Sequence, residues 1–401
     1  MTILAKRLFL LIGAIAAAPL VFLIVAIRPI ILLRFGTMIS HRIGHFAVDV
    51  EAYLCVRDRE KPRRQIVDII GCPAPVCNRQ LQTMWARTLR ITPGARLWRM
   101  LDRACRFWTR GDTHHVKLYD RRSDYELFLT TEPHLSFTNE EHQRGRELLE
   151  QLGIPAGTPW ICIHNRDAAY LEKALGGHWA YHDYRDFSVK DMVCAAEELS
   201  RRGYYVLRMG AIVSAPLVSS NLKIIDYSSS GFRGDFADIY LLANCSAFIG
   251  GDAGIGCVPL IFRKPIAYIN FSPTLIDILL ITLNVYPLSL PFIMKRLWHK
   301  ETQRFLSLRE MFELGLAGAS ESYLFEEAGV ELICNTPEEI RDLAIEVDDR
   351  LKGNWQPQPG DDVLQQRFWS IYRQYASPVR QGNGRALIGA TFIRKHSYLL
   401  S

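Results

Sequence analysis

The stretch AFIGGDAGIGCVPLIF, residues 247–262, decides the fold. An apolar run ends at Gly250, the chain passes through Gly251, Asp252, Ala253 and Gly254, and a second apolar run follows. Glycine gives up helix and strand propensity, so bare backbone here must serve a tight turn or the close approach of another group. The pattern predicts a buried strand over 247–250, a turn, and a short helix starting after Gly254. Unpaired amides at such a helix start converge on a positive end, which suits an anion such as phosphate. A tight turn without a ligand would use the same glycines, so the cluster alone leaves both readings open. No Gly-Lys-Ser/Thr follows, which excludes a Walker loop, and the GxGxxG spacing of the dinucleotide fingerprint is absent.

Strand and helix patterns alternate on both sides of this stretch. PWICIHN (159–165), YYVLRM (204–209), LKIIDY (222–227) and PIAYIN (265–270) read as strands, with amphipathic segments between them. Thr138 with Glu141, and Thr336 with Pro337 and Glu339, have capping-box spacing, and Ser188 with Asp191 opens another helix. Earlier, PIILLRF (29–35), RQIVDII (64–70) and HHVKLYD (114–120) are strand-like, while GHFAVDVEAYLCV (44–56) and a tryptophan-bearing region over 78–108 are helical. Such alternation predicts an α/β chain with parallel sheets wound on both faces. The GIPAGTP linker (153–159) divides it into a first domain over 29–152 and a second over 153–352, followed by a helical extension and tail over 353–401.

With 401 residues, 49% hydrophobic and 22% charged, the chain is long enough for two cores and is not a disordered sequence. The formal charge of +6 suits anionic small ligands or an anionic lipid surface. The absence of dense Lys/Arg runs argues against nucleic acid. The nine cysteines are scattered, and Cys72 and Cys77 lack zinc-knuckle spacing, so the thiols read as ordinary ones in a reducing compartment. Residues 8–27 carry no charge, enough to span a hydrocarbon layer of roughly 30 Å. Residues 1–28 are therefore expected to anchor the chain in the inner (cytoplasmic) membrane, with the catalytic part on the cytoplasmic face. A second apolar stretch over 274–294 is expected to line an acceptor groove near the membrane, and KRLWHK (295–300) to meet anionic headgroups.

In doubly wound sheets, ligands gather where strands end and loops lead into helices. Arg34, Gly36, Arg42, Gly44 and His45 follow the first strand and are the candidates on that side. His164 and Arg166, Arg185, Arg208, and the Gly250–Gly254 loop hold the equivalent places in the second series. Arginine offers a fixed donor fork that matches phosphate oxygens. The competing reading is a set of ion pairs with Asp167, Asp183 or Asp186. HRIGH (41–45) and HWAYH (178–182) repeat histidine at i, i+4 without a third ligand, so no metal site is expected. No nucleophile elbow or cysteine–histidine signature occurs.

The ordered series WICIHNRDAAYL, DYRDFSVKDMVCAAEELSRRGYYVLRMG, IIDYSSS and DIYLLANCSAFIGGDAGIGCVPLIFRKPIAYIN resembles a family of bacterial glycosyltransferases found with surface-polysaccharide genes. RFGTMISHRIGHFAVDVEAYL and GVELICNTPEEIRDL extend the resemblance over roughly residues 29–352. His164-x-Arg166 followed by Asp167 is similar to the donor-binding motif of fucosyltransferase-like enzymes. The resemblance implies a GT-B architecture of two Rossmann-like domains, the donor nucleotide lying mainly in the second. It implies transfer of a sugar from a nucleotide-diphosphate sugar to a glycan or lipid-linked acceptor in surface-polysaccharide biosynthesis, without a further cofactor.

On this reading the donor is held by Arg166, Arg185, Arg208, Gly250, Gly251, Asp252 and Gly254. His45, His164, Arg166 and Asp252 are the catalytic candidates, with His45 as the acceptor's base. Two departures stand out: Gly251 and Ala253 replace the hydroxyl residues usual beside Asp252, and Asn165 replaces an apolar residue. A nucleotide-sugar epimerase-like enzyme on the same fold, or an inactive membrane-tethered nucleotide- or glycan-binding protein, are the alternatives.

Overall fold

The computed structural model describes residues 13–59, 65–118, 125–169, 173, 180–275, 290–375 and 386–401. Most of the apolar stretch 274–294 and the first part of the expected anchor lie outside them. The chain divides into two compact units, residues 1–137 and 138–401.

In the first unit, strands β1 (Ile31–Thr37), β2 (Gln65–Gly71) and β3 (Ile91–Thr92) form a parallel sheet in that order. The helix Ile43–Arg59 follows β1, and the helical region expected over 78–108 is two helices, Arg79–Thr88 and Ala95–Thr109. Asn78 caps the former, its side chain accepting from the Leu81 amide at 2.8 Å. The strand expected over 114–120 is reduced, in its described part, to a single bridge between Phe35 and His115. Val116 packs there so closely that a Cβ on Gly36 would lie 2.7 Å from its own Cβ.

The described part of the expected anchor includes the ten-residue helix Ala18–Ile27. Its buried stripe, Ala14, Ala17, Val21 and Ile24, packs on Phe35, Leu101, Ala104 and Cys105 of the first unit. Among the described residues, no helix is long and apolar enough to cross a membrane.

The second unit is built on β4 (Trp160–His164), β5 (Tyr205–Arg208), β6 (Ile224–Ile225), β7 (Ala247–Gly250) and β8 (Ile266–Tyr268). They form one parallel sheet in the order β6-β5-β4-β7-β8. β4 and β7 are apolar and almost wholly buried, as central parallel strands covered on both faces must be. The chain winds outward through β5 and β6, then returns beside β4 to form β7 and β8.

Thr138 and Glu141 form the anticipated capping box of the helix Asn139–Gln151. That helix packs on Asp235–Asn244 and belongs to the second compact unit. KRLWHK supplies β10 (Arg296–His299) of a small antiparallel sheet, with β11 (Arg304–Phe305) and β12 (Val330–Ile333) beside it. Lys295 and Leu297 are buried there. Nor is the C-terminus an appendage. Its strand Leu387–Ile388 pairs with β9 (Pro291–Phe292), and Phe368 of the helix Asp361–Tyr375 packs on Phe292 with ring centroids 5.9 Å apart.

Gly145 lies against the Tyr240 ring, where an added Cβ would stand 1.9 Å from the ring carbon Cζ. Alanine normally stabilises a helix interior by about 0.5–1 kcal/mol over glycine. Here Gly145→Ala is expected to destabilise the protein by about 1–3 kcal/mol through overpacking. Urea unfolding measures it; a variant as stable as the parent contradicts this packing.

Candidate functional site

Parallel register brings the strand ends of the second unit into line, with Ile163 opposite Arg208 and His164 opposite Gly250. The winding direction reverses between β4 and β7, and in open α/β sheets the ligand crevice opens at that reversal, beyond the carboxyl ends. His164, Asn165 and Arg166 leave β4 at this point, and Gly251 to Gly254 leave β7.

Arg208, expected at a diphosphate, lies wholly buried instead. It donates to Asn165 Oδ1 at 2.9 and 3.2 Å, to Ser228 Oγ at 2.7 Å and to Asp226 Oδ1 at 3.3 Å. Its fork ties together the ends of β5, β6 and the β4 loop. Asn165 in turn donates through Nδ2 to the Phe187 carbonyl at 3.2 Å. The Phe187 ring occupies the place a side chain on Gly251 would need, a Cβ there falling 2.6 Å from its Cε1. Asn165 and Gly251 thus meet through one residue: Asn165 holds the Phe187 carbonyl, and the Phe187 ring crowds position 251.

Three further cations gather beside this framework. Arg166 is buried, pairs with Asp186 and donates to the His182 carbonyl at 3.0 Å. Arg185 Nη1 lies 3.5 Å from Asp252 Oδ2. Lys295 Nζ donates to the Asp186 carbonyl at 2.7 Å. Burial, followed by repulsion from Arg185, pushes the Arg166 pKa down to about 10. Burial also lowers that of Lys295, with Arg166 adding to the effect. The His164 ring is neutral, because burial, with Arg208 and Arg166 nearby, pushes its pKa down to about 3.

Among the described residues, the buried His164 Nδ1 and Arg185 Nε atoms have no hydrogen-bond partner. Buried polar atoms of this kind call for a ligand or water. Nor does any backbone carbonyl among the described residues accept from the Asp252 or Ala253 amide. The helix expected after Gly254 is short, a turn of 3-10 helix at Gly254–Gly256 running into Cys257–Ile261. Its dipole is correspondingly small, and the loop amides and the cations supply the attraction for an anion.

In the first unit, Arg34 makes a bidentate pair with Asp68 at 2.6 and 2.9 Å across the β1–β2 register, and Tyr53 also bonds Asp68. Arg42 is exposed, and Gly44 and His45 lie in the first turn of the helix Ile43–Arg59. His45 Nδ1 stands 3.0 Å from Asp49 Oδ2 on the next turn, so a carboxylate orients its ring.

Glu51, Cys55 and His134 bring ligand atoms within 4.8 Å of one another, a cluster no sequence spacing revealed. His134 faces carboxylates through both nitrogens, Glu51 at 3.0 Å and Asp58 at 2.9 Å. Burial alone would lower its pKa, but hydrogen bonds to Cys55, Glu51 and Asp58 and the charge of Glu51 push it up to about 10. In this state the imidazolium lies between the two carboxylates.

Sequence reasoning missed Lys295, Phe187 and Asp49 as parts of these sites. Lys295 lies far along the chain in a segment that resembles a surface patch, so only the fold brings it to Asp186. Asp49 carried a readable signal, the i, i+4 spacing from His45 on a helix.

No protein-family model and no curated protein sequence matches the chain. Among solved structures it is similar to the E. coli ADP-heptose LPS heptosyltransferase II, at 12% identity over 59% of this chain and 84% of that one, with a TM-score of 0.34. It is also similar to a family 9 glycosyl transferase from Veillonella parvula, at 11% identity over 59% and 80% of the two chains, TM-score 0.36. The wall teichoic acid polymerase TagF is similar at 12% identity over 79% and 71%, TM-score 0.27. Likenesses at this level assign no activity to the chain.

The two perturbed histidines predict opposite pH dependences. His164 has a folded pKa far below its ordinary 6.5, so the unfolded chain takes up the proton first, and stability is lost as pH falls from about 6.5 toward 3. His134 has a raised folded pKa, so its contribution is complete below about 6.5 and is lost as pH rises toward 10. Denaturant unfolding across pH should show both slopes, His164→Gln flattening the acid one and His134→Gln the alkaline one. An unchanged slope in either variant contradicts the corresponding assignment.

Proposed function

We propose that the protein is a glycosyltransferase that takes a nucleotide-diphosphate sugar as donor, its diphosphate seated at the β4–β7 reversal. The observation that carries this reading is the gathering of Arg166, Arg185 and Lys295 beside a glycine loop whose Asp252 and Ala253 amides have no backbone partner among the described residues. A diphosphate is the ligand such a site suits: dianionic, rich in acceptors, and able to approach bare backbone.

When a sugar leaves its nucleotide, negative charge develops on the diphosphate. Donors fixed in advance stabilise that charge without reorganising. Arg185 and the loop amides are assigned to the phosphate oxygens, Arg166 to the field behind them, and Asp252 to holding Arg185 until the donor binds and then to the donor hydroxyls. His164, neutral and buried, is assigned a hydrogen bond to the donor and not a charge. Arg208 is a positioning residue on this view. Gly250 and Gly254 bound the loop.

His45, oriented by Asp49, is assigned as the base that removes the acceptor hydroxyl proton. Arg42 and Gly44 lie beside it on the acceptor side, while Arg34 and Gly36 serve the packing of β1. The acceptor is a glycan or lipid-linked sugar of the cell surface. We assign the reaction to the cytoplasmic face of the inner membrane, where activated sugars are made and where cysteines persist as thiols.

The test is to titrate nucleoside diphosphates, monophosphates and free nucleosides against the full-length protein and follow its melting temperature. Diphosphates should stabilise it most, and Arg185→Ala should weaken their binding by about 1.5–3 kcal/mol, the range for hydrogen bonds to charged groups. With a nucleotide sugar and a glycan acceptor, His45→Ala should lower turnover by about 10²–10⁴-fold and leave diphosphate binding unchanged. Equal affinity for nucleosides and diphosphates would overturn the donor site. Diphosphate binding without turnover across a panel of donors and acceptors would favour a binding protein.

A further inference from the structure

We infer that the first unit lies on an anionic lipid surface through one face, without crossing it. Two helices make that face. In Ala18–Ile27 and the turn before it, the residues at 14, 17, 21 and 24 are buried, and the opposite side leaves Phe22 62% and Leu23 60% exposed. In Ala95–Thr109, Leu101, Ala104 and Cys105 are buried, while Phe107 and Trp108 remain 53% and 40% exposed.

The two exposed sets are joined. The Phe22 and Trp108 rings meet at 5.8 Å between centroids, and Trp108 Nε1 donates to the Ala14 carbonyl at 2.9 Å. Large aromatic and aliphatic groups held in water by well-packed helices are costly unless something covers them.

Charge identifies what covers them. Arg96, Arg99, Arg103, Arg106 and Arg110 recur at three- and four-residue spacing along the second helix and are all exposed. At 100° per residue they fall opposite Leu101 and Cys105, with Met100 and Phe107 on their flank. A basic stripe beside an apolar stripe with Trp and Phe matches the headgroup–acyl boundary of an anionic bilayer, where guanidinium groups reach phosphate and the rings sit below it. A second protein copy would bring the same arginines against each other. Surface attachment fits the packing better than crossing: the stripe at 14, 17, 21 and 24 is bound to the arginine-bearing helix, which a spanning segment would have to draw into hydrocarbon.

The experiment is flotation of the full-length protein with phosphatidylcholine vesicles, with and without phosphatidylglycerol, at low and high salt. Binding is expected only with phosphatidylglycerol, and high salt or alkaline carbonate should release the protein. Arg99→Glu/Arg103→Glu and, separately, Phe22→Ser/Phe107→Ser should each weaken binding at least about tenfold. Because these side chains are exposed, both variants should keep the parental melting temperature and nucleoside diphosphate affinity, which separates this inference from the donor site. Failure to float, equal binding to both vesicles, or loss of a dimer in place of vesicle binding in these variants would overturn it. Retention through carbonate would show a spanning segment and overturn it as well.

Discussion

The Arg208 guanidinium, sealed inside the second unit, is the interaction on which the candidate site depends. A buried arginine must find acceptors for its donors or pay several kcal/mol in lost hydration. It finds them in Asn165, Asp226 and Ser228, and in doing so fixes the ends of β5, β6 and the β4 loop together. Asn165 then holds the Phe187 carbonyl, and the Phe187 ring limits position 251 to glycine. The bare backbone at Gly251 is thus a consequence of the packing beneath it, and the proposed diphosphate would approach the loop from its other side.

Charge in the second unit is organised in layers. Arg208 balances Asp226 in the buried layer, and Arg166 and Lys295 converge on Asp186, one on its carboxylate and one on its carbonyl. Nearer the loop, Arg185 meets Asp252 at 3.5 Å, a loose contact for an ion pair. A loosely held arginine beside an acid can exchange that partner for a phosphate without leaving a buried charge alone. The first unit solves a similar problem differently. There, Glu51 is balanced by the protonated His134 ring, and Asp68 by Arg34.

Much of the fold was legible in the sequence because it rests on local rules. The helix Asp235–Asn244 and the strand Ala247–Gly250 lie where periodicity and glycine punctuation put them, and both threonine capping boxes form. What was not legible depends on contacts between distant segments. KRLWHK has the composition of a surface patch, yet Lys295 is buried, its amide donating to the Phe271 carbonyl and its Nζ to that of Asp186. The apolar run 8–27 has the composition of a membrane span, yet the described part presents a stripe at helical spacing that fits the helix Ala95–Thr109. Of the candidate site, the strand-end positions of His164, Arg166 and Gly251 followed from pattern alone. The division of labour between Arg185 and Arg208 did not, because burial depth cannot be read from a strand's last residue.

The central claim is that the loop after β7 and the cations beside it hold a diphosphate. The most direct measurement is a crystal structure of the full-length protein with the nucleoside diphosphate that stabilises it most. The account predicts a phosphate oxygen within hydrogen-bond distance, about 2.7–3.2 Å, of the Asp252 or Ala253 amide, with Arg185 turned from Asp252 onto the same phosphate. A nucleotide bound elsewhere, or one whose phosphates point into solvent while Arg185 stays on Asp252, would contradict it.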